Sequence, residues 1–309
     1  MKISIETPYW YDREKPEAGV AFIKECGFEA VDLDLSNHFK DTYDKETGTS
    51  FFDNDLETVC QYYKPLKESM KANGLTFAQS HGMYPLYIQG EDLKNESVLR
   101  ASARMLELCQ YLGCPAVVFH PWTGVNLRKE EEIEINLRMY RYLMPTAKRT
   151  GVKICLENLF GRKGIVCIEG ACADAKEAAW YIDTLNAEAG EDVFGFCLDT
   201  GHANVLGKNL YQYITILGKR LTILHINDNM GSEDNHMIPY TQLDRQGSKT
   251  SVDWDGFLRG LKEIGYEGDL SFETFRGIGM LPRAVRKEGF SLVSAIGRYM
   301  REEIQEQNI

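Results

Sequence analysis

The sequence predicts an α/β protein, a single-domain (β/α)₈ TIM barrel spanning residues 1–309, and three observations carry that prediction. Short apolar runs alternate strictly with stretches of helical spacing, eight of each. Several helical stretches end at a glycine just before the next apolar run (Gly27, Gly74, Gly113, Gly151), the place of a left-handed cap that turns the chain back. No composition break or Pro/Ser-rich linker divides the chain. A doubly wound open sheet is the runner-up, but no glycine-rich phosphate loop follows the first apolar run.

Taken in order, KISIE (2–6) is the first expected strand, and EAGVAFIKECG (17–27) is the helix that returns from it. AVDLDL (30–35) is followed by the helix at 56–74, and LTFAQS (75–80) by the helix at 97–113. AVVFH (116–120) leads to the helical pattern at 134–151, and KICLE (153–157) to that at 173–186. FGFCLD (194–199) precedes NLYQYITILG, and LTILHI (221–226) precedes WDGFLRGLKEIG. LSFET (270–274) is the eighth strand, and a last helix runs from about Pro282 to Glu303. Strictly alternating units of this kind favour parallel strands with right-handed crossovers. The segments 36–53 and 227–252 are too long for simple turns, so they are expected to be functional loops on the C-terminal rim.

A hydrophobic fraction of 43% suits a large core, and 26% charged residues is ordinary for a soluble protein. Net charge is −11 without any basic block, which argues against tight binding to nucleic acid or an anionic membrane. The start MKISIETPYW lacks the apolar run of a secretory signal, and no segment is long enough to span a bilayer, so a cytoplasmic protein is expected. Eight cysteines form no C-x-x-C pair, and Cys155 and Cys197 lie inside apolar runs. They are expected as buried thiols rather than disulfides. The aromatic residues of several helices invite contacts in a homo-oligomer.

Five strands end in a large apolar residue followed by a potential ligand: Phe119-His120, Leu156-Glu157, Leu198-Asp199, Leu224-His225 and Phe272-Glu273. Side chains alternate along a strand, so within each pair one member faces the helices and the other the barrel axis. The apolar member takes the helix side, which turns all five polar residues inward at the rim where barrel enzymes place their chemistry. His81 ends the third strand in the same way, after Ser80. Three carboxylates meeting in one barrel mouth repel one another unless a cation neutralises them. Glu157, Asp199, His225 and Glu273 make a mixed oxygen and nitrogen set that suits Mn²⁺, Co²⁺, Mg²⁺ or Zn²⁺.

The same residues resemble the xylose-isomerase-like barrel superfamily of sugar isomerases, ketose epimerases and zinc-dependent apurinic endonucleases, over nearly the whole chain. The resemblance rests on CLEN with Glu157, LDTGHAN with Asp199 and His202, LHINDN with His225, EDNHMIP with Asp234 and His236, and FET with Glu273. SHGMYP with His81 and VVFHPW with His120 add to it. It implies one metal on Glu157, Asp199, His225 and Glu273, with the two glutamates as an acid/base pair and His202 binding a substrate oxygen. The implied activity is a divalent-metal-dependent isomerisation or epimerisation of a sugar or sugar phosphate, by proton transfer through an enediolate held at the metal.

The endonuclease branch implies a rival. Its three-zinc cluster uses nine ligands, matched in type by His81, His120, Glu157, Asp199, His202, His225, Asp234, His236 and Glu273. A second or third ion, and phosphodiester hydrolysis, belong to that reading, although the acidic balance opposes it. A keto-sugar or inositol dehydratase or lyase would use the same enolisation, and a non-catalytic carbohydrate-binding barrel is the remaining class. Two departures from the epimerases stand out: Lys163 replaces a substrate-binding carboxylate, and Gly231 replaces an arginine. Arg162, Lys163 and Arg276 are therefore candidate anchors for a phosphate or acid group. Trp122, with Trp10, Phe51, Phe52, Tyr240 and Gln242, is a candidate pocket wall.

Overall fold

The alternation of the sequence becomes eight parallel strands around one axis in the computed structural model, which describes residues 1–124, 127–244, 246–247 and 249–306. In chain order the strands are β1 (Ile3–Glu6), β2 (Ala30–Asp34), β3 (Thr76–His81), β4 (Ala116–Val118) and β5 (Lys153–Glu157). A hairpin follows, β6 (Phe160–Lys163) and β7 (Val166–Glu169), and then β8 (Phe194–Asp199), β9 (Leu221–His225) and β10 (Leu270–Phe272). The hydrogen-bonded order is β10-β1-β2-β3-β4-β5-β8-β9, with the hairpin forming its own two-stranded sheet. The ends meet just past β9: Ile226 N donates to Ser271 O at 2.8 Å, and Glu273 N donates to Ile226 O at 3.1 Å. This is a nearly closed TIM barrel in a single domain.

The helices run outside it. They are α1 (Pro16–Glu25), α2 (Ser36–Thr42), α3 (Leu56–Ala72), α4 (Asp92–Leu112), α5 (Lys129–Thr150) and α6 (Ala175–Ala189). Beyond β8 come α7 (Thr200–Val205), α8 (Leu210–Leu217), α9 (Trp254–Glu263), α10 (Phe275–Gly279) and α11 (Arg286–Gln305). Glycines at the ends of α4 and α5 adopt φ of 77° and 69°, which costs a residue without Cβ nothing. Strict one-to-one alternation is not observed. The hairpin interrupts the crossover from β5, and Asp199 starts a new short helix at the end of β8 because its carboxylate accepts from His202 N at 2.7 Å.

Of the two long segments, 36–53 folds into α2 and a short 3₁₀ turn at Phe51–Asp53. The second, 227–252, is irregular and pinned by bridges Asp228 to Met237 and Leu243 to Thr250; its residues 245 and 248 lie outside the described residues, as do 307–309 of the expected 1–309 domain. All eight cysteines are free, and Cys155 and Cys197 are buried. Among the described residues no helix is long and apolar enough to cross a membrane.

Two apolar clusters separate the two sides of the sheet. The large one fills the space between strands and helices and includes Phe119, Leu156, Leu198, Leu224 and Phe272, the apolar members of the strand-end pairs. The small one, Ala116, Val118, Cys155, Cys197 and Ile223, lies inside the barrel. Val118, Cys155, Cys197 and Ile223 each stand two residues before a polar residue, so on the adjacent strands β4, β5, β8 and β9 the cluster forms the floor under them.

Candidate metal centre

On that floor His120, Glu157, Asp199, His225 and Glu273 converge, as strand periodicity requires. Glu157 is at the centre. Its Oε1 lies 2.8 Å from His225 Nδ1, and its Oε2 lies 2.6 Å from His120 Nε2. His225 Nδ1 is also 3.6 Å from Glu273 Oε2. His81 Nε2 is 3.2 Å from His120 Nε2, and its ring is parallel to that of His225, 5.3 Å away. Toward the rim, His202 Nε2 and His236 Nε2 stand 3.4 Å and 2.9 Å from Asp234 Oδ2. All nine residues singled out in the sequence thus meet in one mouth.

Asp199 is held by more than its neighbours in the cluster. Its Oδ2 accepts from Asn227 Nδ2 at 2.9 Å, while Asn158 pairs with both its backbone N and its backbone O at 2.8 and 2.9 Å. His202 Nδ1 is 2.9 Å from Asn158 O, which orients the other ring nitrogen to the rim. These asparagines give the buried aspartate polar partners within the chain, a role the sequence did not reveal.

Three carboxylates were expected here, and the structure places more. Glu6 on β1 and Asp32 and Asp34 on β2 also face inward and are 7%, 0% and 9% exposed. The signal for them was present: Ile5-Glu6, Val31-Asp32 and Leu33-Asp34 repeat the apolar-then-polar pattern of the other strands. Asp34 is satisfied by Ser36 and Asn37, but Glu6 Oε2 and Asp32 Oδ1 are buried and have no hydrogen-bond partner.

Crowding sets the protonation of the centre. For Glu157, burial pushes upward, yet the imidazoles of His120 and His225 hold it well below the usual carboxylate range. For Glu273, burial and the neighbouring Glu6, Asp199 and Glu157 outweigh His225 and hold it well above. Asp199 is raised by burial and by Glu157 and Asp234, against the pull of His202. Among the described residues every ion pair of Glu157, Asp199, Asp234 and Glu273 is with an imidazole, and none is with lysine or arginine.

Do these residues fit a cation? Their ligand atoms group in four overlapping triads within 4.8 Å: His81, Glu157, His225; Glu157, Asp199, His202; Asp199, His225, Glu273; and His202, Asp234, His236. Buried Glu157 Oε2 and Asp234 Oδ1 make no aligned hydrogen bond. Carboxylate oxygens that are buried, mutually close and unsatisfied are costly alone and are stabilised by a divalent ion. The donor set fits.

A cavity of ≈ 380 Å³ opens above the centre, lined by His120, His202 and Asp234 together with Tyr84, Trp122 and Phe160. Trp122 is set by Asn136, which bonds both its backbone N and O at 2.7 and 2.9 Å. Lys163 and Arg276 are not brought to this cavity. Lys163 is exposed on β6, and exposed Arg276 borders a separate groove with Tyr9 and Gln242. Arg162 pairs with Glu233 across the rim. The other aromatic candidates pack elsewhere: Phe51 stacks on His38, Phe52 is buried beside it, Tyr240 leans on Trp254, and Trp10 donates to Glu6 O. Their neighbours in space, invisible in the sequence, decide this.

Comparison with known proteins agrees with the barrel. Residues 20–294 match the model of the xylose isomerase-like TIM barrel family. An inosose isomerase of Bacillus velezensis is 28% identical over 264 residues, covering 82% of this chain and 89% of that protein. A D-tagatose 3-epimerase-like protein shares the fold with a TM-score of 0.68 at 19% identity, over 98% of this chain and 100% of that one. The IolI protein, whose structure carries a binding zinc atom, has the same TM-score and identity and covers 98% of both chains.

Proposed function

This chain belongs to the xylose isomerase-like TIM barrel family, and we propose that it is a cytoplasmic isomerase or epimerase acting on a sugar or a related keto-polyol. The observation that carries the reading is the placing of two glutamates about one imidazole: His225 Nδ1 lies 2.8 Å from Glu157 and 3.6 Å from Glu273. The two sit in different surroundings: imidazoles hold Glu157 low, while burial and neighbouring carboxylates hold Glu273 high. The similarity to an inosose isomerase and to an epimerase-like fold supports the substrate class.

Glu157, Asp199, His225 and Glu273 would hold Mn²⁺, Co²⁺, Mg²⁺ or Zn²⁺. Bound there, the ion supplies Lewis acidity that polarises a substrate carbonyl and acidifies the neighbouring C–H. Of Glu157 and Glu273, one takes that proton and the other returns one to the opposite face for epimerisation or to the adjacent carbon for isomerisation. His202, fixed through Nδ1 by Asn158 O, offers Nε2 to a substrate oxygen. Trp122 presents a flat apolar wall to the C–H face of a sugar. None of the described residues lining this cavity is a lysine or arginine, so the reading favours an unphosphorylated substrate.

A second reading, metal-assisted phosphodiester hydrolysis, is favoured by one observation: His202, Asp234 and His236 form a ligand triad of their own, giving room for further ions. One experiment separates the two. Protein loaded with Mn²⁺ or Zn²⁺ is incubated in D₂O with a panel of ketoses and keto-inositols, and in parallel with abasic duplex DNA. The expected result is solvent deuterium on the carbon beside the carbonyl, in a product isomeric with its substrate. Loss of water in the product mass transfers the function to a dehydratase. Nicking of DNA without exchange into any sugar defeats the isomerase reading.

A further inference from the structure

The metal-centre reading gives no task to Asp32, a buried carboxylate beside it. Asp32 on β2 is fully buried, and its Oδ2 lies 3.2 Å from His225 Nε2, on the opposite edge of the ring from Glu157 and Glu273. We propose that Asp32 is a positioning residue for the metal site: it keeps the His225 proton on Nε2, so that Nδ1 turns its lone pair to the cation. The inference rests on the metal-centre reading given above.

A neutral imidazole has one lone pair and one N–H, and whichever nitrogen carries the proton cannot bind a metal. His225 Nδ1 is the nitrogen on the ligand side, since it faces both Glu157 Oε1 and Glu273 Oε2. The proton therefore belongs on Nε2, inside the barrel, buried from bulk solvent. A carboxylate there accepts it more strongly than a neutral group does. Asp32 is itself fixed: Gln79 Nε2 donates to Asp32 Oδ2 at 2.7 Å and to Leu224 O at 3.1 Å, tying the acid to the residue before His225. Parallel stacking on His81, with 4° between the planes, confines the ring to motion in its own plane. The 3.2 Å approach of Asp32 Oδ2 to Nε2 is an ion-pair contact, without an aligned hydrogen bond. Carboxylates behind metal-binding histidines commonly contribute roughly 10–100-fold to metal affinity.

The test compares zinc affinity of wild-type protein and Asp32→Leu, by competition with a chromophoric chelator. The expected result is binding roughly 10–100-fold weaker in Asp32→Leu, with Asp32→Asn, which keeps an acceptor, in between. Long-range ¹H–¹⁵N spectra of zinc-loaded wild-type protein are expected to show the His225 proton on Nε2, a readout that does not depend on any variant folding. A proton on Nδ1, or wild-type zinc affinity in Asp32→Leu, overturns the role of Asp32 alone. Failure of the wild-type protein to bind zinc, manganese, cobalt or magnesium overturns the metal reading, and this inference with it.

Discussion

A glutamate buried among imidazoles keeps the option of giving up those partners to a metal or a substrate, whereas one locked to an arginine does not. Glu157 is of the first kind, and in the proposed function it both binds the cation and carries a proton. Glu157→Gln keeps its shape and removes its charge. Turnover is expected to fall by about 10²–10⁴-fold or more, with a far-UV spectrum like that of the wild type; undiminished turnover in the purified variant rejects the assignment. Gly201 tests the support around Asp199. A Cβ there would come within 2.0 Å of Asn227 Oδ1, and Asn227 is the donor to Asp199 Oδ2. Gly201→Ala is expected to cost about 1–3 kcal/mol of stability and to weaken metal binding. Calorimetry and metal titration read the two effects, and a variant with wild-type values in both would show that the packing tolerates the methyl group.

At the scale of elements, α2 behaves as a packed part of the barrel wall. His38 bonds the Tyr63 hydroxyl of α3 at 2.8 Å and stacks on Phe51 at 4.2 Å, joining the segment 36–53 to its neighbour. Burial, reinforced by Arg13, lowers the His38 pKa from 6.5 to about 4. A histidine more easily protonated in the unfolded chain adds stability that is full above pH 6.5 and is lost as the pH falls toward 4. Asp228 acts in the opposite sense: burial raises it to about 7, so its contribution is present in acid and lost as the pH rises through that value. The comparison of His38→Gln with wild type isolates the first effect. The variant's stability curve is expected to lose up to about 2 kcal/mol of its acid-side slope, the solvent-screened share of such a shift. Denaturant unfolding from neutral to acid pH measures it, and parallel curves for the two proteins would remove His38 from the account.

For the whole molecule, the centre joins His81, Glu157, Asp199 and His225 on four barrel strands with residues from the segments that follow the strands, so a cation there would tie the closed form together. Ligation of the folded but not the unfolded chain stabilises by about 2.7 kcal/mol at a hundredfold excess over Kd. At about 2–4 °C per kcal/mol for a chain of this size, melting is expected some 5–10 °C higher with metal than with a chelator. Equal melting temperatures, measured by scanning calorimetry, would argue against a site built across the strands.

Much of this was legible in the sequence. Two-residue periodicity assigned Leu156, Leu198 and Leu224 to the helices and Glu157, Asp199 and His225 to the axis, and the same rule covers Glu6 and Asp32. Such directions are local: each follows from the alternation of a strand and the burial of its apolar face. Distances across the barrel are not local. That Asp199 pairs in register with His225, that Asp32 reaches the far edge of that histidine, and that Lys163 stands outside on a hairpin depend on strand register and closure. These are settled by packing between residues far apart in the chain. The sequence by itself therefore determined which groups face the axis, and only the tertiary structure decided which of them touch.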